Sequence, residues 1–251
     1  MLYNFIIENM MKRKIANKIV RYRNPPKWVP CGSTAKSFKP DETGRADRFR
    51  LVIPIPTVFF FDGDISLLSG SKKLLAIVGS RKSNETQMTR ARNIGVWAAK
   101  KGFIVINGMA DGIDRAAAEG ALSAGGKVVF VLGTDIADCY PEASRSIYDA
   151  AKAGNGLIIS EYSPGTKTEK DCFIRRDHII AALCDAMVIG QINGFSGTLA
   201  TVKAARNLDK PVGLADGATA LAEEWVEAKL NEFGAVPAFK GSDIIALFEK
   251  R

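Results

Sequence analysis

An α/β fold with a doubly wound, mostly parallel sheet is what the sequence predicts, and three observations carry that reading. Leu74 to Val78 is an unbroken apolar run, too short for an ordinary core helix and too continuous for a half-exposed strand, so it reads as a strand buried on both faces. The run stops at Gly79, and after the polar turn Ser80 to Glu85 the apolar residues take helical spacing (Met88, Ala91, Ile94, Ala98) until Gly102. Strand, glycine turn and helix then recur down the chain, which is the pattern of βαβ units.

Length and composition set the frame. A chain of 251 residues, 47% of them hydrophobic, can bury a full core as one large domain with an appendage. No apolar run approaches the roughly 18 to 20 residues of a membrane span, and the apolar start Leu2 to Ile7 precedes its basic cluster, the reverse of a secretory signal. A cytoplasmic protein without a membrane partner is expected. Cys31, Cys139, Cys172 and Cys184 form no CxxC pair, so they read as reduced thiols, with neither a metal nor a cofactor implied. The net charge of +8 is uneven: residues 1–50 hold 12 Lys and Arg against 4 Asp and Glu, while the other 201 residues hold 23 of each. Such a segment either contacts phosphate backbones nonspecifically or serves as a solvated tail.

Taken in order, residues 1–23 are expected to form a short basic helix through Ile15, Ile19 and Val20, stopped by Asn24-Pro25-Pro26. Trp28 to Arg50 shows no period and reads as a loosely held linker. The expected division is therefore a basic arm over 1–50 and a globular domain over 51–251, so that deleting 1–50 should leave a folded domain. Pro54 to Phe61 reads as an edge strand, with a turn at Asp62-Gly63-Asp64. After the strand at 74–78 and its helix come a strand at 103–106, a glycine turn at 107–112 and an alanine-rich helix at 113–124. A third unit follows, with a strand at 127–132, a turn at 133–135 and a helix whose first position is Pro141. A strand at 157–160 leads into an irregular segment, 161–172, then a short helix at 176–183 and a strand at 186–189. The turn 193–198, a helix to about Leu208 and a strand at 212–214 complete the repeat. Helices at 221–233 and 244–250 are expected on the sheet edge or at a subunit contact.

Ligands of such a sheet bind beyond the carboxyl ends of its strands, so the turns at 79–85, 107–113, 133–136 and 193–198 are expected to line one crevice. Their Gly, Ser, Thr and Asn content lets backbone amides approach a phosphate, and Ser80 and Arg81 add a hydroxyl and a guanidinium. GxGxxG and GxxxxGK[ST] are absent, which argues against a dinucleotide dehydrogenase or a P-loop NTPase. Catalytic equipment is sparse. His178 is the single histidine, which excludes His-pair metal sites. Asp111 and Asp114 read as capping residues of the helix that follows, and Glu161 is a candidate general base with no partner nearby in sequence. Arg81, Lys167, Lys170, Phe173, Arg175 and Arg176 fall on crevice-side loops, and interleaved cationic and aromatic groups suit single-stranded nucleic acid.

Seven segments in register carry a family resemblance: Val-Phe-Phe-Phe-Asp-Gly-Asp (58–64), Ala-Ile-Val-Gly-Ser-Arg (76–81), Gly-Met-Ala-Asp-Gly-Ile-Asp (108–114), Tyr-Pro-Glu (140–142), Ser-Glu-Tyr-Ser-Pro-Gly-Thr (160–166), Phe-Ile-Arg-Arg-Asp-His-Ile-Ile-Ala-Ala-Leu (173–183) and Ser-Gly-Thr-Leu-Ala-Thr (196–201). Together they resemble the DprA/Smf (DNA-processing protein A) family. The resemblance implies an extended Rossmann-like domain that binds single-stranded DNA without cleaving it, acts as a homodimer and hands DNA to a RecA-type recombinase in natural transformation. It places the phosphate pocket at Gly79, Ser80 and Arg81, and a Phe-x-x-Arg-Asn-Arg segment on Phe173, Arg176, Asp177 and His178. Gly108, Lys167, Ser196, Gly197 and Thr198 complete the expected DNA-binding set. Asp177 and His178 depart from the family's Asn and Arg, and from this follow weaker binding and a pH response through His178. Ala118 stands where the family usually has His, and Gly190-Gln191 where Val-Glu is usual.

Two alternatives share this fold. LOG-type nucleotide phosphoribohydrolases carry Pro-Gly-Gly-x-Gly-Thr-x-x-Glu; aligned on Gly197-Thr198, this chain has Thr201 in place of the essential glutamate, so the acid/base partner is missing. A nucleotide-sensing domain would use the same pocket chemistry.

Overall fold

The computed structural model describes residues 36–49, 52, 58–194, 197–220 and 223–249. The expected N-terminal helix, Cys31, the start of the edge strand at 54–57, Phe195 and Ser196 of the last glycine turn, the start of the helix at Leu221, and Lys250 lie outside the described residues.

Each apolar run became a strand because only a sheet covered on both faces could take it in. The strands are β1 (Ser37–Phe38), β2 (Phe59–Gly63), β3 (Leu74–Gly79), β4 (Ile104–Asn107), β5 (Val128–Leu132), β6 (Gly156–Ser160), β7 (Ala186–Gln191), β8 (Val212–Leu214) and β9 (Val236–Pro237). They form one sheet in the order β1-β2-β6-β5-β4-β3-β7-β8-β9. From β6 to β9 neighbouring strands are parallel, and at one edge β2 runs antiparallel to both its neighbours, β1 and β6.

The helices are α1 (Ala46–Phe49), α2 (Glu85–Lys100), α3 (Ile113–Ser123), α4 (Arg145–Ala150), α5 (Lys170–Leu183), α6 (Gly197–Asn207), α7 (Glu224–Glu232) and α8 (Gly241–Glu249). Alternation along β3 divides the core. Leu74, Ala76 and Val78 meet residues of α5, α6 and α7 on one face, whereas Leu75 and Ile77 meet α2, α3, α4 and α8 on the other. Each fully buried aliphatic side chain there contributes about 1.5–3 kcal/mol. Helices α2 and α3 touch backbone to backbone: a Cβ on Gly95 would lie 2.0 Å from the Ala117 carbonyl oxygen, and one on Gly120 would lie 2.0 Å from that of Arg92. That contact fixes the start of α3 under the end of β3.

Four expectations are corrected. Residues 36–49 are packed against the sheet instead of forming a loose linker. Phe38 stacks on Phe59 at 5.4 Å and pairs with it in the β1/β2 ladder, while Arg45 and Arg48 both pair with Asp185, at 3.3 and 2.6 Å. Their order comes from guanidinium contacts and one aromatic stack, which leave no hydrophobic period to read. Helix α5 begins at Lys170, six residues before the expected start, because its first turns face an open crevice and carry no apolar stripe. Pro141 precedes a short 3-10 turn, Glu142–Ser144, in extended backbone, so it is not the first position of α4. Finally, β9 adds an edge strand between the two C-terminal helices, too short at two residues to announce itself.

Candidate functional site

From β3 the chain winds outward through β4, β5 and β6, then returns to lay β7, β8 and β9 on the opposite side. The reversal leaves a gap at the carboxyl ends of β3 and β7, the switch point where open α/β sheets take ligands. A crevice of about 510 Å³ opens there. Its walls come from the turn after β3 (Gly79, Ser80, Arg81, Lys82), from α5 (Lys170, Phe173, Arg176, Asp177) and from Asn193, Gly197 and Thr198, with Asp114 at the floor. Three of the four expected turns therefore meet in it. The fourth, at Gly133 and Thr134, lines a narrow adjoining slot that also receives Tyr140 and shares Arg81, Phe173 and Arg176 with the crevice.

The turn after β3 is held by its own small side chains. Ser80 N–H donates to the Gln191 carbonyl at 2.9 Å, and the Ser80 hydroxyl donates to the Lys82 carbonyl at 3.1 Å and accepts from Asn193 Nδ2 at 3.1 Å. With Ser80 spent on the turn, the side chains of Arg81 and Lys82 stand exposed at the mouth. Gly112 supports the turn from beneath. Its φ of +77° is the left-handed conformation glycine tolerates, and a Cβ would sit 2.4 Å from the Ser80 carbonyl oxygen. Met109, fully buried, also has positive φ, +56°, strain of the kind that gathers at functional loops.

Asp114 is not the capping residue it was expected to be. Buried beneath the crevice, its carboxylate accepts from Gly79 N–H at 3.2 Å and Gly108 N–H at 3.0 Å, tying the ends of β3 and β4 together. Burial pushes its pKa up to about 6, against the pull of Arg176 and of those two amides. Arg176 runs under Gly108, donating to the Gly108 carbonyl at 2.5 Å and the Val131 carbonyl at 3.2 Å, with Nε 2.8 Å from Asp177. Only glycine fits at 108, since a Cβ would fall 1.8 Å from the Arg176 guanidinium. Burial also raises the Asp177 pKa, opposed by Arg176 and Thr201. Arg176 thus shapes the wall, and the exposed cations are Arg81, which lies 5.6 Å over the Phe173 ring, Lys82 and Lys170.

Of the twelve expected site residues, nine are assembled here: Gly79, Ser80, Arg81, Phe173, Arg176, Asp177, Gly197 and Thr198 line the crevice, and Gly108 lines the slot. Lys167 is exposed on its loop but outside both. His178 lines neither the crevice nor the slot; its Nδ1 lies 2.9 Å from the Ile174 carbonyl one helical turn back. Ser196 falls outside the described residues. Glu161 and Arg175, read as a base and a crevice cation, are instead a buried pair at 2.5 Å. Lys82 and Asn193 lie on turns expected to line the crevice, though neither was singled out as a site residue; Tyr140 was read only as part of the segment 140–142, with no place in the walls. Among the described residues no cluster of three or more His, Cys, Asp and Glu could hold a metal ion, and no helix is long and apolar enough to cross a membrane.

The family model described as DNA recombination-mediator protein A matches residues 46–249. DNA processing protein DprA of Streptococcus pneumoniae is 31% identical over 203 residues, covering 77% of this chain and 67% of that one. The X-ray structure of DprA from Streptococcus pneumoniae superposes with a TM-score of 0.76 at 27% identity, covering 87% of this chain and 76% of that one. DprA from Helicobacter pylori, whose structure concerns its single-stranded DNA binding mode, superposes with a TM-score of 0.71 at 25% identity over 81% of this chain and 92% of that one. The chain spans between 40% and 67% of the length of the curated relatives it matches.

Proposed function

The chain belongs to the DNA recombination-mediator protein A family, and on that premise we propose that its switch-point crevice binds single-stranded DNA without covalent chemistry. The observation that carries the reading is the composition of the crevice mouth. Three exposed cations, Arg81, Lys82 and Lys170, stand beside the Phe173 ring on a wall of glycine and hydroxyl turns, which offers phosphates a charged track and bases a stacking face. The carboxylates within reach are already engaged, Asp114 with two backbone amides and Asp177 with Arg176. Thr201, at the position of the phosphoribohydrolase glutamate, donates its hydroxyl to the Gly197 carbonyl at 3.1 Å. These engagements favour binding over base release.

Family membership supports the finer reading: a cytoplasmic homodimer that delivers the bound strand to a RecA-type recombinase in transformation or recombination. Residues 1–35 add a sequence-independent phosphate contact. In fluorescence anisotropy the protein binds single-stranded oligonucleotides with an affinity that falls with salt by a log-log slope of about 0.7 per phosphate neutralised, and a duplex of equal length competes poorly. Absence of binding at low salt, or release of free base from nucleoside monophosphates, overturns the proposal.

A further inference from the structure

On the far side of the switch point, β7 ends in an irregularity. Val78 of β3 pairs with Ile189, but Gly79 pairs with Gln191, so β7 carries one extra residue, Gly190, beside the turn. A bulge of this kind re-aims the side chains around it. Gly190 itself has no room for a side chain, since a Cβ would lie 2.7 Å from Ile113 Cγ2. Gln191 is fully buried and lines neither the crevice nor the slot, whereas Asn193, two residues on, reaches the crevice wall.

The two side-chain amides form a chain with one direction. Gln191 Nε2 donates to the Ile192 carbonyl at 3.1 Å and to Asn193 Oδ1 at 2.8 Å. Asn193 Nδ2 donates in turn to Ser80 Oγ at 3.1 Å and to the Lys82 carbonyl at 2.9 Å. Neither amide can turn over, because the Ile192 and Lys82 carbonyls only accept and each must face an N–H. The orientation that serves them leaves Gln191 Oε1 buried with no donor among the described residues. An unmatched buried acceptor costs stability, so what the Gln191 side chain contributes lies in its N–H groups. The chain they start ends on Ser80 and Lys82, the residues on either side of Arg81. Among the described residues the Arg81 guanidinium has only the Phe173 ring beside it, at 5.6 Å, so its place is set by the backbone of its turn.

We propose that Gln191 and Asn193 are positioning residues for strand binding, their amide relay crossing the switch point from β7 to the turn after β3 and holding Arg81 and Lys82 where they meet phosphate. This deepens the single-stranded DNA reading and rests on it. Gln191 is neutral and closed off from the crevice, so it can change the salt dependence of binding only through the cations it places.

The test is anisotropy with a labelled dT oligomer over a salt series, with the urea midpoint measured on the same proteins: the full chain, Gln191→Met, Asn193→Ala, Arg81→Ala, and Gln191→Met combined with Arg81→Ala. Methionine keeps the unbranched shape and removes both N–H groups together with the unmatched oxygen. Gln191→Met weakens binding about fivefold at low salt and lowers the log-log slope by up to about 0.7, the share of one phosphate contact, with a midpoint at or above the parent's. Asn193→Ala, a change at a partly exposed side chain, also lowers the slope. In Arg81→Ala the added Gln191→Met costs less than about twofold, because the cation it places is already gone. Full binding by Gln191→Met, an unchanged slope in either relay variant, the same fold-loss with and without Arg81, or a midpoint that falls along with the affinity in both relay variants overturns the relay while leaving the crevice reading in place. Failure of the parent to bind overturns the two together.

Discussion

The two ends of α5 gather the same residue types and put them to opposite uses. At its carboxyl end Arg48 donates to the Leu183 and Cys184 carbonyls at 2.8 and 2.9 Å, Arg45 to Leu183 at 3.0 Å and Lys210 to Cys184 at 2.9 Å. Asp185 then takes both arginines and the Leu74 N–H, the latter at 2.8 Å. The unpaired carbonyls of a helix end attract cations, and here they are saturated. At the amino end the partial charge is positive, so the cations gathered there find few acceptors: Arg176 bridges the Gly108 and Val131 carbonyls and Asp177, and Arg81, Lys82 and Lys170 are left to solvent. A cation's sequence neighbourhood does not say which it will be. Whether backbone carbonyls or backbone amides face it decides between anchor and site.

The largest expected effect breaks the anchor. Asp185→Ala leaves Arg45 buried without its carboxylate and costs about 3–5 kcal/mol in urea unfolding. Removing residues 1–50 takes away Arg45, Arg48 and Phe38 at once and is expected to destabilise comparably, whereas removal of 1–35 alone leaves the anchor intact. Equal stability of the two truncated chains would show that the anchor contributes nothing.

A smaller effect separates the two aspartates by pH. Burial works to raise Asp185, but the Leu74 amide and Arg48 and Arg45 overcome it and hold the pKa at about 2. Its stabilisation is therefore present above the ordinary carboxylate range and is lost as pH falls towards 2. Asp114, raised from 3.8 to about 6, has the opposite sign: the folded state holds its proton more tightly, so its contribution grows as pH falls through 6 and is complete below the unfolded value. Between pH 7 and 4.5 the parent should gain about 2 kcal/mol relative to Asp114→Asn. A stability difference between the two proteins that does not vary over this range would place the Asp114 pKa near its unfolded value.

The part of the fold that rests on apolar periodicity was legible in the sequence. Leu74 to Val78, the alternation of strand and helix after it, and the glycine turns at the carboxyl ends follow from burial, and burial is written locally. The anchor was not legible, because Arg45 and Asp185 are distant in sequence and a guanidinium on a carbonyl leaves no period. In the site, Gly79 and Arg81 could be read from their turn and Phe173 from the cations interleaved with it, but the division of labour could not. That Ser80 holds the turn and that Asp114 ties two strands depend on contacts between elements, and Tyr140 reaches the slot only through the packing of a separate loop.

The most direct test of the account crosses the two ends of α5 in one experiment, measuring the urea midpoint and the affinity for a single-stranded oligonucleotide for Arg48→Ala and Arg81→Ala side by side. Arg48→Ala should lower the midpoint and leave the affinity of the folded protein unchanged. Arg81→Ala should weaken binding about tenfold, reduce the salt slope by about 0.7 and shift stability by less than about 0.5 kcal/mol. Loss of binding in folded Arg48→Ala, or full binding in Arg81→Ala, would contradict the claim that the crevice at the amino end of α5 is the DNA-binding site and the anchor at its carboxyl end the support.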